Sequence, residues 1–271
     1  MKKMLVVIDS TERVKELLKK SLRLLPEKLD VLVFEASVIK EVEAILNDPK
    51  YKNCNAELTN ASSDSIEDKL DQVIKSASHY ESDTIVINRP NIFGQTRDLS
   101  FEKKLLKGLK KTSLLICGDK RWKTAMNILG TLDTVNDNVE QRHLNSVVFD
   151  VSSQIADRVN GELHFMSVIA ISRVSEELDI VEPSEVLAEQ GQSVKAKIES
   201  FVNSKNSTLK YTSHVTAGVP YKEIPSVAKK EEMDLVILGN VGRTGLKGLI
   251  VGNTAEKILQ RLSVDVLIVK K

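Results

Sequence analysis

Residues 233–242 read MDLVILGNVG, and this stretch decides the fold. An acidic residue leads into the apolar run 235–238, which ends directly at Gly239 and is followed by Gly242. A short apolar run between an acidic residue and glycine is typical of a strand buried in a parallel sheet. Residues 82–88, SDTIVIN, repeat the strand part of this pattern in the first half of the chain. The chain therefore carries one strand pattern twice.

Further strand-like runs alternate with stretches of helical period. In the first half they are MLVVID (4–9), DVLVFEA (30–36), DTIVIN (83–88) and SLLIC (113–117), and in the second half NILGTLD (127–133), ELHFMSVIA (162–170), KYTSHVTAG (210–218), DLVILGN (234–240) and DVLIVKK (265–271). Residues 14–25 place their valine and leucines on one helical stripe. Such alternation predicts βαβ units around parallel sheets.

The similarity of SDTIVIN to MDLVILG, and of SLLIC to DVLIV, indicates an internal duplication. We predict an α/β protein of two tandem doubly wound domains, each with a five-stranded parallel sheet of order 3-2-1-4-5. The polar segment 117–125 separates the copies, which gives domains 1–122 and 123–271. The second copy is longer, and we expect its additional residues at 134–160 and 170–190. The insert 169–190 is expected to form a lid or a crossover helix.

Composition is that of an ordinary soluble globular protein: 41% of the 271 residues are hydrophobic and 28% are charged. The net charge of +1 provides no general attraction to nucleic acids or acidic membranes. The first apolar run stops at Asp9, shorter than a signal peptide requires, and no run reaches the length of a membrane span. We therefore predict a cytoplasmic protein without nucleic-acid or membrane partners, and interpret the basic run 102–111 as a solvated helix face.

Cysteine and histidine spacing indicates neither a metal site nor a catalytic site. The residues concerned are Cys54, Cys117, His79, His143, His164 and His214. The cysteines lack CxxC spacing, the histidines lack HxxxH and HExxH spacing, and the chain contains no GxSxG. We interpret His164 and His214 as residues of strand faces, and we predict no metal ligands and no catalytic residues.

The segment after the run 234–240 has the features of a phosphate-binding loop. Five of the twelve glycines lie between Gly239 and Gly252, and a helical pattern follows. A helix N-terminus offers unpaired N–H groups, and glycine lets the main chain approach an anion closely. Polar side chains that could assist follow the glycines: Arg243, Thr244, Asn253 and Thr254, of which Asn253 or Thr254 is the expected N-cap. A plain surface loop is the alternative.

Two common nucleotide motifs are missing. The chain has no GxxxxGK[ST] and no GxGxxG after a first strand. In doubly wound sheets, ligands bind at the carboxyl ends of strands where the strand order reverses. A loop after the fourth strand places the crevice beside the first strand, whose run ends at Asp133. We therefore expect Asp133 to face the glycine loop.

The spacing GxxG, nine residues, then glycine and small polar residues, after a fourth strand and with an aspartate ending the first strand, resembles the ATP-binding loop of the universal stress protein family. LGNVGRTG with VGNTAEKIL is most similar to the tandem, E-type members. This resemblance implies that Asp133 contacts adenine, that the main chain near Val168 also contacts the base, and that Gly239, Gly242, Gly252 and the residues after it hold ribose and phosphates. Asn253 departs from the hydroxyl residue usual at that position.

The first copy has lost these features. Its loop reads NRPNIFGQTRDLS (88–100), with Asn88 and Asn91 at the first two glycine positions, and Pro90 removes a backbone donor. Asp9 alone is more typical of a strand end. The resemblance therefore predicts a structural or regulatory first domain.

Two functions remain open from the sequence. The first is a cytoplasmic stress-response sensor or regulator that binds an adenine nucleotide, ATP with or without Mg²⁺, in the second domain, with a weak ATPase as its only catalytic option. The second is a nucleotide-free scaffold, or a binder of another small ligand, that acts through protein contacts. The resemblance also implies that the end strands 113–117 and 265–271 pair as an intramolecular pseudo-dimer, and a homodimer of chains stays open.

Overall fold

The computed structural model describes residues 1–51, 53–89, 99–109, 111–136, 138–178, 180–240, 243–245, 248–250 and 253–270, and gives the backbone alone for 177, 243–245, 248–250 and 253. Two compact units are found: residues 1–122 with 243–250, and residues 123–242 with 251–271. Because the segment 243–250 groups with the first unit, the simple division into 1–122 and 123–271 stays a proposal. Within the described ranges, no helix combines the length and apolarity needed to cross a bilayer.

The first domain alternates strands and helices along the chain. Its elements are β1 (Lys3–Ile8), α1 (Val14–Arg23), β2 (Lys28–Val33), α2 (Ile39–Leu46), β3 (Asn55–Asn60), α3 (Ile66–His79), β4 (Thr84–Asn88), α4 (Ser100–Gly108) and β5 (Ser113–Cys117). The strands are parallel in the order β3-β2-β1-β4-β5. β1 is apolar and fully buried from Met4 to Ile8, as expected for the central strand of a sheet covered on both faces.

The second domain repeats this topology. Its elements are β6 (Asn127–Thr131), α5 (Val139–Val159), β7 (Glu162–Ala170), α6 (Arg173–Glu177), α7 (Pro183–Lys205), β8 (Thr212–Gly218), α8 (Pro220–Lys230), β9 (Leu235–Gly239), α9 (Asn253–Arg261) and β12 (Asp265–Val269). The order β12-β9-β6-β7-β8 corresponds to 3-2-1-4-5 when the strands are counted within the domain. The predicted fold class is confirmed for both domains.

Two short strands lie between β9 and α9 in the sequence. β10 (Arg243–Gly245) and β11 (Gly248–Ile250) pair antiparallel, with Thr244 opposite Leu249. The glycine-rich segment therefore contains a hairpin, which the sequence did not predict. An alternating strand pattern is hard to recognise over three residues on each side.

The main differences from the predicted elements have simple physical causes. β3 was not predicted because its sequence, NAELTN, is polar; it lies at the edge of the sheet, where only one side pairs with β2. The additional length of the second domain lies largely in its helices, since α5 has 21 residues where α1 has 10. α7 is a 23-residue crossover helix that includes residues 183–190 of the insert, so the crossover interpretation holds for that part.

Candidate functional site

The carboxyl ends of β6, β7 and β9 form the candidate site in the second domain. β6 is the central strand, paired with β7 on one side and with β9 on the other. The chain passes from β6 to β7 on one side and reaches β9 on the other, so the direction of winding reverses here. Thr131 Oγ1 donates to the carbonyl of Ile237 at 3.1 Å and fixes the ends of β6 and β9 to each other. This edge is where a doubly wound sheet binds ligands.

Asp133 lies two residues beyond the end of β6 and is half-buried. Its Oδ1 accepts from the backbone N–H groups of Val135 and Asn136, at 3.3 and 3.0 Å, and its Oδ2 accepts from Asn136 Nδ2 at 2.6 Å. The carboxylate therefore stabilises the turn that leads to α5. A carboxylate has about four acceptor positions, so capacity remains on Oδ2 for a ligand.

Asn145 on α5 fixes the backbone of Asp133. Its Nδ2 donates to the Asp133 carbonyl at 2.8 Å, and its Oδ1 accepts from the Asp133 N–H at 3.1 Å and from Gln141 Nε2 at 3.0 Å. Asn145 is only 5% exposed. No sequence pattern indicated this role, because a single asparagine on an amphipathic helix has no recognisable spacing to the strand end it contacts.

Val168 presents its main chain at the same edge. Leu132 N–H donates to the carbonyl of Met166 at 2.8 Å, whereas Ile171 N–H donates to Gly218 of β8. In a parallel strand, alternate residues bond to opposite neighbours, so the N–H and C=O of Val168 point to the side of β6. β6 ends at Thr131, and β7 extends beyond it. Val168 therefore offers a main-chain donor and acceptor on the β6 side of the carboxyl edge.

Gly239 ends β9, as predicted, and the structure gives it a packing role. A Cβ on Gly239 would lie 2.7 Å from Leu144 Cγ and 2.8 Å from Leu144 Cδ2. Such distances are well below van der Waals contact, so glycine is needed here for α5 to approach the end of β9. The close approach of Gly239 is to a leucine side chain of the same domain.

The other predicted loop residues are only partly described. Gly242 and Gly252 lie outside the described residues, and Arg243 and Thr244 belong to the backbone of β10. α9 begins at Asn253, so Asn253 and Thr254 lie in its first turn and the prediction that one of them is the N-cap is wrong. Because α9 connects parallel β9 and β12, its N-terminus lies at the carboxyl edge of the sheet. Thr254 is exposed there.

In the first domain, a lysine occupies the equivalent strand end. Asp9 follows β1, and Lys69 Nζ of α3 lies 3.4 Å from its Oδ2. The same ammonium lies 5.5 Å from the ring centre of Phe34, which follows β2. Charge pairing and a cation–π contact thus hold a lysine next to the aspartate. We call the Asp9, Lys69 and Phe34 group the lysine cluster.

An arginine fills the neighbouring strand ends of the first domain. Arg13 precedes α1 with φ of 58°, in the left-handed region. Its guanidinium donates to the carbonyl of Arg89 at 2.6 Å and pairs with Asp119. Asn88 Nδ2 donates to the carbonyl of Glu12 at 3.1 Å. Within the described residues, the carboxyl edge of this sheet is therefore bridged by the domain's own side chains.

An open cavity of about 430 Å³ lies elsewhere in the second domain, between α8 and α9. Its lining includes Lys222, Lys229 and Arg261 but none of the predicted site residues. Its position on the outer faces of two helices differs from the strand ends at which doubly wound domains bind ligands. The strand ends therefore remain the candidate site.

Comparison with known proteins agrees with this architecture. Residues 141–270 match the model of the Universal stress protein family. A Universal stress protein E homolog of Haemophilus influenzae is 30% identical over 163 residues, which are 58% of this chain and 52% of that protein. The chain thus spans about half the length of this relative. The match to the family model lies entirely in the second domain.

Solved structures share the fold along the whole chain. A Pseudomonas aeruginosa protein described as a universal stress protein superimposes with a TM-score of 0.78 at 22% identity, covering 100% of this chain and 93% of its own. A universal stress protein from Archaeoglobus fulgidus gives a TM-score of 0.64 at 15% identity and covers 98% of both chains. At such identities the likeness concerns the fold. The second domain is thus similar in sequence to the universal stress protein family, and both domains share the fold of solved universal stress proteins.

Proposed function

We propose that the second domain binds an adenine nucleotide, ATP, at the carboxyl ends of β6, β7 and β9, and that the protein acts as a cytoplasmic sensor or regulator in the stress response. The observation that carries the proposal is that Asp133 and the main chain of Val168 both lie at the carboxyl edge of the sheet, where the direction of winding reverses. A carboxylate acceptor beside a main-chain donor and acceptor matches the hydrogen-bonding edge of a purine base.

The phosphates would lie toward the N-terminus of α9. A helix N-terminus attracts anions through its dipole and its first N–H groups, and the sequence places the polar residues Asn253 and Thr254 there. The sequence adds Gly242, Gly252, Arg243 and Thr244 to this part of the proposed site. Gly239 contributes chiefly by packing against Leu144.

Binding without efficient catalysis fits the side chains at this edge. Among the described residues, no group of three or more histidine, cysteine or acidic side chains could hold a metal ion. Mg²⁺ is commonly held by one or two carboxylates plus substrate phosphates, so it would arrive with ATP. Phosphoryl transfer depends on groups that position the nucleophile and neutralise charge on the phosphates. We therefore propose regulation by occupancy, with ATP turnover at most slow.

The test is calorimetric titration of the chain with MgATP. We expect one binding site, abolished by Asp133→Ala and by Gly242→Glu, and unchanged by Asp9→Ala, the matched control in the first domain. Equal binding by the Asp133→Ala variant would refute the assignment, and absence of heat with the unmodified chain would refute nucleotide binding. Release of labelled phosphate above a buffer blank would separate an enzyme from a sensor.

A second candidate, a protein-binding scaffold, is favoured by exposed aliphatic side chains at the same edge. Val139 is 73% exposed at the start of α5, and Leu178 and Ile180 are 65% and 66% exposed after β7. Contiguous exposed apolar surface is typical of interaction sites, and Leu178 and Ile180 lie two residues apart in the sequence. Under this alternative, Leu178→Lys would abolish association with a partner and leave ATP binding unchanged.

A further inference from the structure

Two histidines that are 50 residues apart in sequence meet on neighbouring strands of the second domain. His164 Nδ1 and His214 Nε2 are 3.0 Å apart, and the rings are nearly parallel, with an interplanar angle of 16°. In the register of β7 and β8, Met166 pairs with His214. The rings are therefore diagonal neighbours held by a rigid parallel ladder.

The pair lies at the amino ends of these strands, away from the proposed nucleotide site. Each histidine is the third residue of its strand, whereas Asp133 and Val168 lie at the carboxyl edge. His164 is 8% exposed and His214 is half-buried. A group bound here would therefore be independent of a nucleotide at the other edge.

Nearby carboxylates offset part of the effect by which burial disfavours a positive charge on the two rings. The carboxylates of Glu162 and Glu231 both act electrostatically on His164, and Glu231 also acts on His214. Glu231 follows directly after α8, whose C-terminal carbonyl groups carry partial negative charge. Lys230 opposes this effect at His214 and pairs with Glu231 at 3.4 Å. Two carboxylates and a helix C-terminus thus favour a positive charge at the pair, and one lysine opposes them.

Both rings are in the form that binds metal ions. Burial lowers the pKa of His164 and of His214 below the usual value of 6.5, so both are neutral at neutral pH. A hydrogen bond between two neutral imidazoles uses one N–H and one lone pair. If the donating ring carries its proton on its other nitrogen, His164 Nδ1 and His214 Nε2 each direct a lone pair into the space between them.

We propose that His164 and His214 form a binding site for a divalent transition-metal ion of the zinc, nickel and copper group. Tetrahedral zinc with bonds of 2.0–2.1 Å requires ligand nitrogens about 3.3 Å apart, close to the observed separation. The ion replaces the shared hydrogen, the donating ring shifts its proton to its second nitrogen, and no net proton is released. Within the part of the chain that the structure describes, no cluster of three metal-ligating side chains is present, so water completes the coordination.

The test is titration of chelator-treated, nucleotide-free protein with Zn²⁺. We expect one saturable site, weakened at least about tenfold by His214→Gln, which corresponds to about 1.4 kcal/mol. His143→Gln, which changes an exposed histidine on α5, is the matched control and leaves the affinity unchanged. Cu²⁺ binds more tightly than Zn²⁺, following the usual order for nitrogen ligands, and Mg²⁺ does not compete.

A second measurement uses the unmodified chain, so that it does not depend on the folding of a variant. Paramagnetic Cu²⁺ is expected to broaden the amide NMR signals of residues 163–165 and 213–215 first. Equal zinc affinity of a folded His214→Gln variant would overturn the proposal. Broadening that begins around His79 or His143 would overturn it as well.

Discussion

At the scale of single residues, Gly239 shows how one residue type serves different needs. Its place after an apolar strand suggested close approach to a phosphate, and the structure shows close approach to Leu144 instead. Both uses depend on the missing Cβ, so the sequence cannot separate them. Only the packing in the three-dimensional structure shows which group Gly239 contacts.

Gly239→Ala is expected to destabilise the second domain by about 1–3 kcal/mol, because the new methyl group overlaps Leu144. Gly191→Ala in α7 is the matched control. There the new Cβ meets only the tip of Leu187 at 3.1 Å, and a helix gains roughly 0.5–1 kcal/mol from the exchange. Urea denaturation of the two variants measures both effects, and equal stabilities would contradict the packing role of Gly239.

Asn145→Ala is expected to lower the free energy of unfolding of the second domain by about 1–3 kcal/mol, because it leaves the N–H and C=O of Asp133 without their partner. It should also weaken ATP binding, since Asp133 would no longer be held in place. Gln141→Ala removes a contact to Asn145 alone and serves as the control. Thermal denaturation and ATP titration of both variants test the two effects separately. Unchanged stability of Asn145→Ala would contradict the proposed support.

At the scale of elements, the buried strands could be predicted from the sequence, whereas the edge strand β3 and the short hairpin could not. β5 and β7 match their predicted bounds, because apolar runs between polar residues mark buried parallel strands clearly. β3 was not predicted because an edge strand can be polar. The hairpin of β10 and β11 was not predicted because each of its strands has only three residues. Helix ends depend on single capping contacts, so they shift by one or two residues, as at Asn253.

The start of α5 offers a prediction at this scale. Asn138 is its N-cap, and its side chain accepts from the N–H of Gln141 at 2.8 Å. Asn138→Ala is expected to destabilise the second domain by about 1 kcal/mol, whereas Asn138→Asp retains the acceptor and the stability. Chemical denaturation compares the two. An equal loss of stability in both variants would show that the hydrogen bond of the N-cap does not stabilise the domain.

At the scale of the whole molecule, two copies of one topology end their strands differently. Asp133 lies just after β6 and Val168 near the end of β7, because the bounds of these strands are encoded locally, and the contact of either residue with a nucleotide stays a prediction. The sequence did not reveal Asn145, the lysine cluster or the meeting of His164 with His214. The contacts of Lys69 with Asp9 and of His164 with His214 join residues 60 and 50 positions apart, and Asn145 contacts Asp133 across 12 residues, so no local spacing indicates them.

The difference between the strand ends of the two domains predicts where a bound nucleotide slows hydrogen exchange. With saturating ATP, hydrogen exchange should slow at the ends of β6, β7 and β9 and at the start of α9, and stay unchanged in residues 1–89. At a concentration of 100 times Kd, binding adds about 2.7 kcal/mol to the stability of the bound state. Amide exchange followed by mass spectrometry checks the pattern. Equal protection at the ends of β1 and β4 would mean that the first domain also binds the nucleotide.

The lysine cluster gives the first domain a sensitivity to dissolved salt. Its ionic contact joins partly exposed groups, with 23% of the Lys69 side chain and 39% of the Asp9 side chain accessible. Mobile ions screen such pairs over about 10 Å at 0.1 M, whereas backbone hydrogen bonds and buried apolar contacts are affected far less. Rising ionic strength is therefore expected to weaken the contact between Lys69 and Asp9 more than the hydrogen bonds that hold Asp133 in the second domain.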